Sequence, residues 1–353
     1  MQLSYAPYLL RFAETAITSR QAMTVRPTWI IRFIPDDGKV YYGEAAMFPG
    51  LSCDDRPDFE RVLAEACHAI NREIELPDLT DFPAIKIALE SIIYSARNDN
   101  SALFFKSPFT RGETDLTING LIWMGSKEQM LRRIDEKIKA GFRTLKLKIG
   151  GIDFVDEEDL LQHIRDAFPA DKLTIRLDAN GSLGDVDTAL TRLDLLSRFD
   201  IHSIEQPIKA GQPKAMGYIC RHTPIPVALD EELIGINRND EREELLDTIT
   251  PHYIIIKPTL HGGFVGGKKW IDMATERNIG WWITSALESN IGLNAIAQWA
   301  AHLGVTLPQG LGTGALYTNN FPTGLRLDGE RMSFNTSFNG FDLSDYNLQW
   351  ITP

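Results

Sequence analysis

The sequence is poor in cysteine and in long apolar runs, and each shortage excludes a class of protein. Three cysteines among 353 residues are too few and too far apart for a disulfide framework or a zinc cluster, which predicts a reducing, cytoplasmic environment. No uncharged apolar run approaches the roughly 18 residues that a membrane span needs, so we expect no membrane protein. Residues 1–7 lack a basic segment followed by an apolar core, so we expect no secretion signal.

Positive charge is also scarce, which argues against nucleic acid as a partner. Lysine and arginine total 36 against 48 aspartate and glutamate residues, a net charge of −12 at pH 7. Such a surface repels phosphate backbones, and no basic stripe reverses this locally. The expected partner is therefore a small molecule, and the sequence leaves the oligomeric state open.

Length and periodicity predict two domains. A chain of 353 residues is too long for one ordinary core and fits a barrel of about 250 residues with a smaller domain. We predict an α+β capping domain from residues 1–112, joined by the tail 316–353. Its predicted elements are strands 28–34 and 40–45, an Asp36-Asp37-Gly38 turn between them, and helices 58–75 and 83–97.

Residues 113–315 alternate short β runs with amphipathic stretches. The predicted strands lie near 116–123, 144–149, 173–178, 201–205, 226–230, 253–257, 281–285 and 307–311. The predicted helices include 127–140, 157–167, 186–198 and 290–303. Eight βα units of this kind close into a parallel barrel, so the predicted fold class is α/β.

Five charged side chains stand 25 to 30 residues apart, each at the end of a predicted strand: Lys148, Asp178, Glu205, Asp230 and Lys257. One strand, one helix and two loops fill each interval, so all five should rise onto the C-terminal rim of the barrel. Side chains of such barrels do their chemistry on that rim. The spacing therefore predicts one active site that contains three acids and two lysines.

A pair of lysines shares the second predicted strand. Lys146 and Lys148 lie two residues apart, so both should point into the barrel, while Leu145 and Leu147 point out to the helices. Two buried ammonium groups side by side, with a cation near them, should have lowered pKa values. A neutral amine could then accept a proton near pH 7. A solvated pair on an edge strand is the alternative, which the flanking apolar residues disfavour.

The three acids predict a metal site. Asp178, Glu205 and Asp230 end consecutive strands and would repel one another unless a cation lies among them. Oxygen ligands favour a hard ion, so we expect Mg²⁺, with Mn²⁺ as a possible substitute. A lone acid here could simply cap a helix, but three in succession make that improbable. Glu231 and Arg176 are expected just behind these ligands, with Glu231 within reach of Lys257 or another basic group.

Lys257 should face Lys148 across the metal. A barrel with Mg²⁺ between facing lysines is arranged to remove a proton α to a carboxylate.

These motifs resemble those of the enolase superfamily, in its muconate lactonizing enzyme branch. The motifs are Lys146-Leu147-Lys148, Asp178-Ala179-Asn180, Glu205-Gln206-Pro207, Asp230-Glu231 and Lys257-Pro258, in family order and at family spacing over nearly the whole chain. The resemblance implies a modified TIM barrel, (β/α)7β, beneath the capping domain. It also implies Mg²⁺ on the three acids, Lys148 as base with Lys146 tuning it, and Lys257 on the opposite face.

The other residues predicted on the rim narrow the range of possible substrates. The segment 283–292 has no histidine or aspartate where sugar-acid dehydratases of the family carry another base, and 307–314 lacks the acidic pair of the dipeptide epimerases. Its glycine-rich turn offers backbone N–H groups that suit a second carboxylate. The expected substrate is a dicarboxylate, contacted by Asn180, Ser285, Gly312 and Thr313.

Two segments, 285–289 and 48–52, look like parts of a dehydratase in that branch that forms an aromatic dicarboxylate in menaquinone synthesis. The implied reaction starts when Lys148 removes a ring proton next to the metal-bound carboxylate. Lys148 then returns that proton to the leaving hydroxyl. Lys257 would act as an ammonium group in a cation–π contact, without transferring a proton.

Other interpretations remain open. A racemase of N-acylated amino acids or a dipeptide epimerase would use Lys148 and Lys257 as two bases. A Schiff-base lyase would use one of them as nucleophile, and an idle binding protein would use neither. The segment 262–269 nearly matches a phosphate loop but is predicted to open the sixth barrel helix. Trp281, Trp282 and Trp299 are predicted to pack between barrel and helices.

Overall fold

A three-stranded antiparallel sheet forms the N-terminal part of the computed structural model, which describes residues 1–17 and 22–353. Its strands are β1 (Gln2–Ile17), β2 (Ala22–Ile34) and β3 (Tyr41–Ala45). The pairing of β2 with β3 confirms the predicted hairpin, and Gly38 has the positive φ, 78°, that its turn requires. Strand β1 was not predicted. Its Pro7 cannot donate a ladder hydrogen bond, and it is tolerated because β1 lies at the edge of the sheet.

Two predicted helices pack on this sheet, α1 (Phe59–Arg72) and α2 (Pro83–Arg97). Pro83 starts α2 because its fixed φ suits a first helical position and its missing N–H is not needed there. Helix α2 lies so close to β3 that a Cβ on Gly43 would overlap the backbone of Ala88. Glycine at position 43 therefore sets the distance between sheet and helix.

The barrel is built from seven parallel strands that neighbour each other in chain order. These strands are β5 (Gly120–Ile122), β6 (Thr144–Lys148), β7 (Thr174–Asp178), β8 (Ile201–Glu205), β9 (Val227–Leu229), β10 (Tyr253–Ile256) and β11 (Gly280–Ile283). The surrounding helices are α3 (Lys127–Lys139), α4 (Phe154–Ala167), α5 (Val186–Ser197), α6 (Pro213–His222), α7 (Asn239–Ile249), α8 (Gly263–Glu276) and α9 (Asn290–His302). The segment 262–269 opens α8, as predicted.

The predicted eighth strand is shorter than expected. It consists of two bridges, Gln309 with Ile118 and Gly310 with Thr284, which join both edges of the seven-stranded sheet and close the barrel. The prediction of a regular strand over 307–311 is wrong, because Pro308 has no N–H to donate. The fold is therefore a modified TIM barrel with an N-terminal antiparallel cap, as predicted.

The first predicted barrel strand, 116–123, divides into two pieces. Strand β5 pairs with β6, whereas β4 (Leu116–Thr117) pairs with a hairpin of the tail, β12 (Leu325–Asp328) and β13 (Arg331–Phe334). The tail also reaches the N-terminal sheet, where Ile351 pairs with Tyr5. The proposed domain boundaries at residues 112 and 315 stay predictions.

The apolar residues of the barrel strands divide between two layers. Leu145, Leu147, Trp281 and Trp299 pack in the core between strands and helices, as predicted. Trp282 instead points into the barrel, where it packs with buried side chains of neighbouring strands. The prediction for Trp282 is wrong, because neighbours on a strand alternate between faces. In the described part of the chain, no helix has both the length and the apolar character of a membrane span.

Candidate active site

The five predicted charges meet at the C-terminal rim of the barrel. In strand register, Lys148 lies opposite Asp178 and Asp178 lies opposite Glu205. Asp230 and Lys257 follow directly on β9 and β10. Counted around the closed barrel, β6 and β10 are the second and sixth strands, so Lys148 and Lys257 approach the same pocket from opposite sides.

Each lysine forms an ion pair with a buried carboxylate. Lys148 Nζ lies 2.9 Å from Asp178 Oδ2, and Lys146 Nζ lies 3.0 Å from the same oxygen. Lys146 also contacts Glu205, and Lys257 contacts Asp230. The two ends of the acidic cluster are therefore held by different lysines.

The carboxylates control the charge state of these lysines. Burial alone would lower the pKa of Lys146, but Asp178, Glu205 and Asp230 outweigh burial and raise that pKa above its ordinary value. The pKa of Lys257 is raised in the same way, because Asp230 and Glu205 outweigh its burial. The predicted lowering of the Lys146 pKa is thus wrong for this arrangement, since the prediction weighed the neighbouring lysine and a cation but not the carboxylates.

Buried carboxylate oxygens make this cluster suitable for a divalent cation. Asp178 Oδ1, Glu205 Oε1 and Asp230 Oδ1 are buried and have no hydrogen-bond donor, and they come from three consecutive strands. A buried acceptor without a donor is costly, and a hard cation would satisfy all three. Burial and then the nearby Asp178 raise the pKa of Glu205 to about 8, which a cation would reverse.

The lysines hold the acids in a different arrangement from a closed metal site. Within residues 1–17 and 22–353, no three acidic, histidine or cysteine side chains are arranged to hold an ion as they stand. The Lys146 ammonium pairs with both Asp178 and Glu205. In this structure the lysine ammonium groups therefore supply the positive charge among these acids.

Asn180 joins Lys148 to Glu231. Its side-chain oxygen accepts a hydrogen bond from Lys148 Nζ at 2.7 Å, and its amide nitrogen donates to Glu231 Oε1 at 2.8 Å. We predicted that Asn180 would contact substrate and that Glu231 would lie near a basic group. The structure places both on the pocket wall, and there Asn180 also holds the proposed base.

Arg176 lies one layer deeper on the same strand as Asp178. It donates to the Pro308 carbonyl at 2.8 Å and stacks 4.1 Å from the Trp282 ring. Burial lowers the pKa of Arg176 to about 10, and the charge of Glu205 partly opposes this shift. The guanidinium thus lies behind Glu205, inside the barrel and below the pocket, where it contacts Pro308 and Trp282.

The wall away from the acids is formed by uncharged residues. Ser285, Gly312 and Thr313, whose substrate contacts stay predictions, line it, and the hydroxyl groups of Ser285 and Thr313 lie 2.7 Å apart. Several wall residues were not predicted as site residues: Asn119, Leu121, Trp123, Thr284, Ala286 and Leu287. Alternation along the first barrel strand could have identified the first three of these.

Arg26 fastens the capping loop, residues 46–55 after β3, to this wall. This buried side chain of β2 donates to the carbonyls of Ala46 at 2.8 Å and Met47 at 2.5 Å, and to those of Ala286 at 3.0 Å and Leu287 at 3.2 Å. Phe48 and Leu51 of the same loop line the pocket. The cap therefore supplies part of the pocket and holds another part in place.

Known proteins are similar to this chain in sequence and in fold. The model of the enolase C-terminal domain-like family matches residues 129–334. An o-succinylbenzoate synthase from Desulfotalea psychrophila is 43% identical to this chain over 93% of it and 98% of the relative.

Two solved structures are similar over almost their full length. The crystal structure of MenC from Desulfotalea psychrophila LSv54 has a TM-score of 0.82 and 40% identity, covering 94% of this chain and 99% of the other. A dipeptide epimerase from Enterococcus faecalis V583, complexed with Mg and the dipeptide L-Leu-L-Tyr, has a TM-score of 0.76 at 20% identity, covering 94% and 96%. The second likeness concerns the fold alone.

Proposed function

Because this chain belongs to the enolase C-terminal domain-like family, we propose that it acts as an o-succinylbenzoate synthase, a carbon–oxygen lyase of menaquinone biosynthesis. Its reaction removes water from 2-succinyl-6-hydroxy-2,4-cyclohexadiene-1-carboxylate. The observation that carries this proposal is a single pocket in which Lys148 and Lys257 approach from opposite strands, each beside a different carboxylate.

Lys148 moves the proton in this reaction. As the free amine it takes the ring proton α to the substrate carboxylate, and the electrons of that C–H bond form the new ring double bond. The C–O bond of the neighbouring hydroxyl breaks. The proton on Lys148 passes to this hydroxyl, which leaves as water, and the ring becomes aromatic. One amine serves both transfers when proton and hydroxyl lie on the same face of the ring.

The residues around Lys148 prepare it for this role. Asn180 accepts from Lys148 Nζ while its own amide is anchored on Glu231, so the Asn180 oxygen has one orientation. This hydrogen bond aims the amine at the pocket. Lys257 stays protonated beside Asp230, which suits an ammonium group that stabilises the ring by a cation–π contact and transfers no proton.

Asp178, Glu205 and Asp230 would hold Mg²⁺, or Mn²⁺ as a substitute. When bound, such an ion neutralises negative charge that develops on the substrate carboxylate as the α proton leaves. The unpartnered oxygens of these three residues support this assignment. The Mg complexed with the Enterococcus epimerase supports the same choice of metal for this fold.

The cellular setting is a further part of the proposal. Cys53, Cys67 and Cys220 are free thiols, two of them buried, which suits a reducing cytoplasm. A dicarboxylate is the proposed partner, and the acidic chain is not proposed to bind nucleic acid.

The test is ultraviolet detection of the aromatic product from the cyclohexadiene substrate, with Mg²⁺ and with EDTA. We expect product with Mg²⁺ and a loss of turnover with EDTA that added Mg²⁺ restores. N-acylated amino acids serve as the comparison, because a racemase would exchange their α proton with solvent deuterium in both enantiomers. Exchange at rates comparable to dehydration would favour the racemase instead.

A further inference from the structure

The first barrel strand presents one inner column of side chains to the pocket. Asn119, Leu121 and Trp123 line the pocket, whereas Ile118 and Ile122 pack outward against the helices. This alternation fixes the direction of the Asn119 side chain, because successive residues of a strand point to opposite faces. Asn119 is the one polar residue of that column.

Asn119 has unused hydrogen-bonding capacity at the base of the pocket. The residue is only 4% exposed, and its Oδ1 is buried without a hydrogen-bond partner. Its backbone N–H is already used, since it donates to the Gln309 carbonyl at 2.9 Å. A buried amide atom without a partner is costly. Because the amide oxygen can only accept, a ligand oxygen would pair with the Asn119 N–H groups, directly or after the amide has turned.

Thr284, on the other side of the eighth strand, also has a buried polar atom without a hydrogen-bond partner. This atom is its hydroxyl oxygen, and Thr284 also lines the pocket. Gly310 bridges to Thr284, and Gln309 bridges to Ile118, the neighbour of Asn119. A Cβ on Gly310 would lie 2.6 Å from the Thr284 hydroxyl, so glycine leaves this part of the floor open.

Asn119 and Thr284 form the floor of the pocket, and the position of this floor relative to the acids indicates which part of a substrate it binds. Glu205 ends the fourth barrel strand, and the eighth strand lies opposite it in the ring. A substrate that places one carboxylate among the acids therefore turns its other end toward Asn119 and Thr284. Among the described residues, the pocket wall formed by the first, seventh and eighth strands contains no lysine or arginine, so the donors there are neutral.

We propose that the Asn119 amide is a substrate-binding group that hydrogen-bonds an oxygen of the succinyl arm, with the Thr284 hydroxyl as its neighbour. This inference rests on the proposed function. An amide can turn about its last torsion and present an N–H to a carboxylate or a ketone, which an ionised carboxylate cannot do. Neutral donors also bind the arm without burying an additional cation in this wall.

The test compares a variant that lacks the Asn119 amide with the unmodified enzyme, and a ligand that lacks the succinyl arm with one that has it. Inhibition constants of o-succinylbenzoate and of benzoate are measured for the Mg²⁺ enzyme and for Asn119→Leu, which keeps the volume of the side chain. We expect o-succinylbenzoate to bind about tenfold more weakly to the variant and benzoate to bind unchanged. Asn239→Leu, the same change at an exposed residue away from the pocket, is the matched control and should shift neither constant more than about twofold.

A second variant keeps the inference open to refutation if leucine impairs folding. Asn119→Asp places a negative charge beside the arm, and it should weaken o-succinylbenzoate more than leucine does if the contacted oxygen belongs to the carboxylate. Equal weakening by the two variants would assign the ketone oxygen. Unchanged binding of o-succinylbenzoate, or equal weakening of both ligands in Asn119→Leu, overturns the inference. Absence of product from the unmodified enzyme would instead refute the proposed function.

Discussion

The Glu44 carboxylate in the antiparallel cap binds the start of a barrel helix through Ser289. It accepts hydrogen bonds from the backbone N–H groups of Ser289 and Gly292, both at 2.9 Å, and from the Ser289 hydroxyl at 2.5 Å. Ser289 is the N-cap of α9, where unpaired N–H groups attract negative charge. Since residues 284–287 directly before this helix line the pocket, the contact joins the cap to the active-site wall.

We expect Glu44→Gln to destabilise the protein and to reduce activity. Glutamine keeps the shape but loses the charge that faces the helix N-terminus, so the free energy of unfolding should fall by about 1–3 kcal/mol. Because the pocket wall is loosened, kcat/KM should fall as well. Urea unfolding and steady-state kinetics measure both effects. Glu75→Gln, at an exposed site of the same cap, is the control, and equal stability of the two variants would contradict the role of Glu44.

Lys148→Ala should abolish turnover and leave the fold intact. Removal of a general base costs about 10²–10⁴-fold in rate, and here one amine would serve both proton transfers, so we expect a loss of at least about 1,000-fold. Exchange of the substrate α proton with deuterium should disappear with it. Lys139→Ala, on the exposed face of α3, should retain full activity. Substantial dehydration by Lys148→Ala would remove this residue from the role of base.

The sequence allowed the catalytic rim to be predicted because each charge follows a short apolar strand. Lys148, Asp178 and Glu205 are visible as interruptions of a regular βα pattern, and that regularity also predicts their common edge. The hairpin was predicted for a similar reason, since its Asp37-Gly38 step has a local conformational cause. Local sequence patterns were therefore sufficient to predict the fold and the position of the acids.

Long-range contacts could not be predicted in the same way. Glu44 and Ser289 are 245 residues apart, and nothing in either neighbourhood indicates that they meet. Strand β1 contains Pro7, which is acceptable only because of its edge position. The charge state of Lys146 depends on how close the acids of other strands approach. These features follow from tertiary packing, which local propensity does not encode.

Lys257→Arg should retain more activity than Lys257→Ala. If Lys257 acts by its charge, alanine loses a desolvated cation–π contact of about 2 kcal/mol, roughly 30-fold in kcat. Arginine keeps the charge beside Asp230 and should recover part of that loss. Arginine cannot give up its proton at neutral pH, so a base at this position would be lost equally in both variants. Equal kcat values for the two variants would therefore favour the two-base racemase.

Asp230→Asn should weaken Mg²⁺ binding. The amide keeps one oxygen but loses the negative charge, and changes to groups that only support metal ligands already cost about 10–100-fold in affinity. We therefore expect the Mg²⁺ dissociation constant to rise by at least about tenfold, measured by calorimetry and by the Mg²⁺ dependence of kcat. Asp171→Asn, at an exposed ion pair, should leave the constant unchanged. The same Mg²⁺ dependence in both variants would exclude Asp230 as a ligand.

Asp54, at the end of the capping loop, should make stability depend on pH. Burial raises the pKa of Asp54 to about 7, although its Oδ2 accepts a hydrogen bond from the Ala84 N–H at the start of α2. Its Oδ1 is buried without a partner. The folded protein therefore holds the Asp54 proton more tightly than the unfolded chain, whose carboxyl titrates near its ordinary pKa of 3.8.

The sign of this dependence follows from linkage. Stabilisation by the neutral carboxyl is fully present below about pH 4 and is lost as the pH rises through about 7. Asp54→Asn removes this titration. The measured quantity is the free energy of unfolding of the native protein minus that of the variant. We expect it to fall by about 1–4 kcal/mol between pH 4 and 8. Urea unfolding at several pH values measures the difference, with Glu75→Gln as the control for a change of charge at an exposed site. A difference that is constant with pH would show that the pKa of Asp54 is the same in the folded and unfolded states, and that the loop tolerates its buried charge.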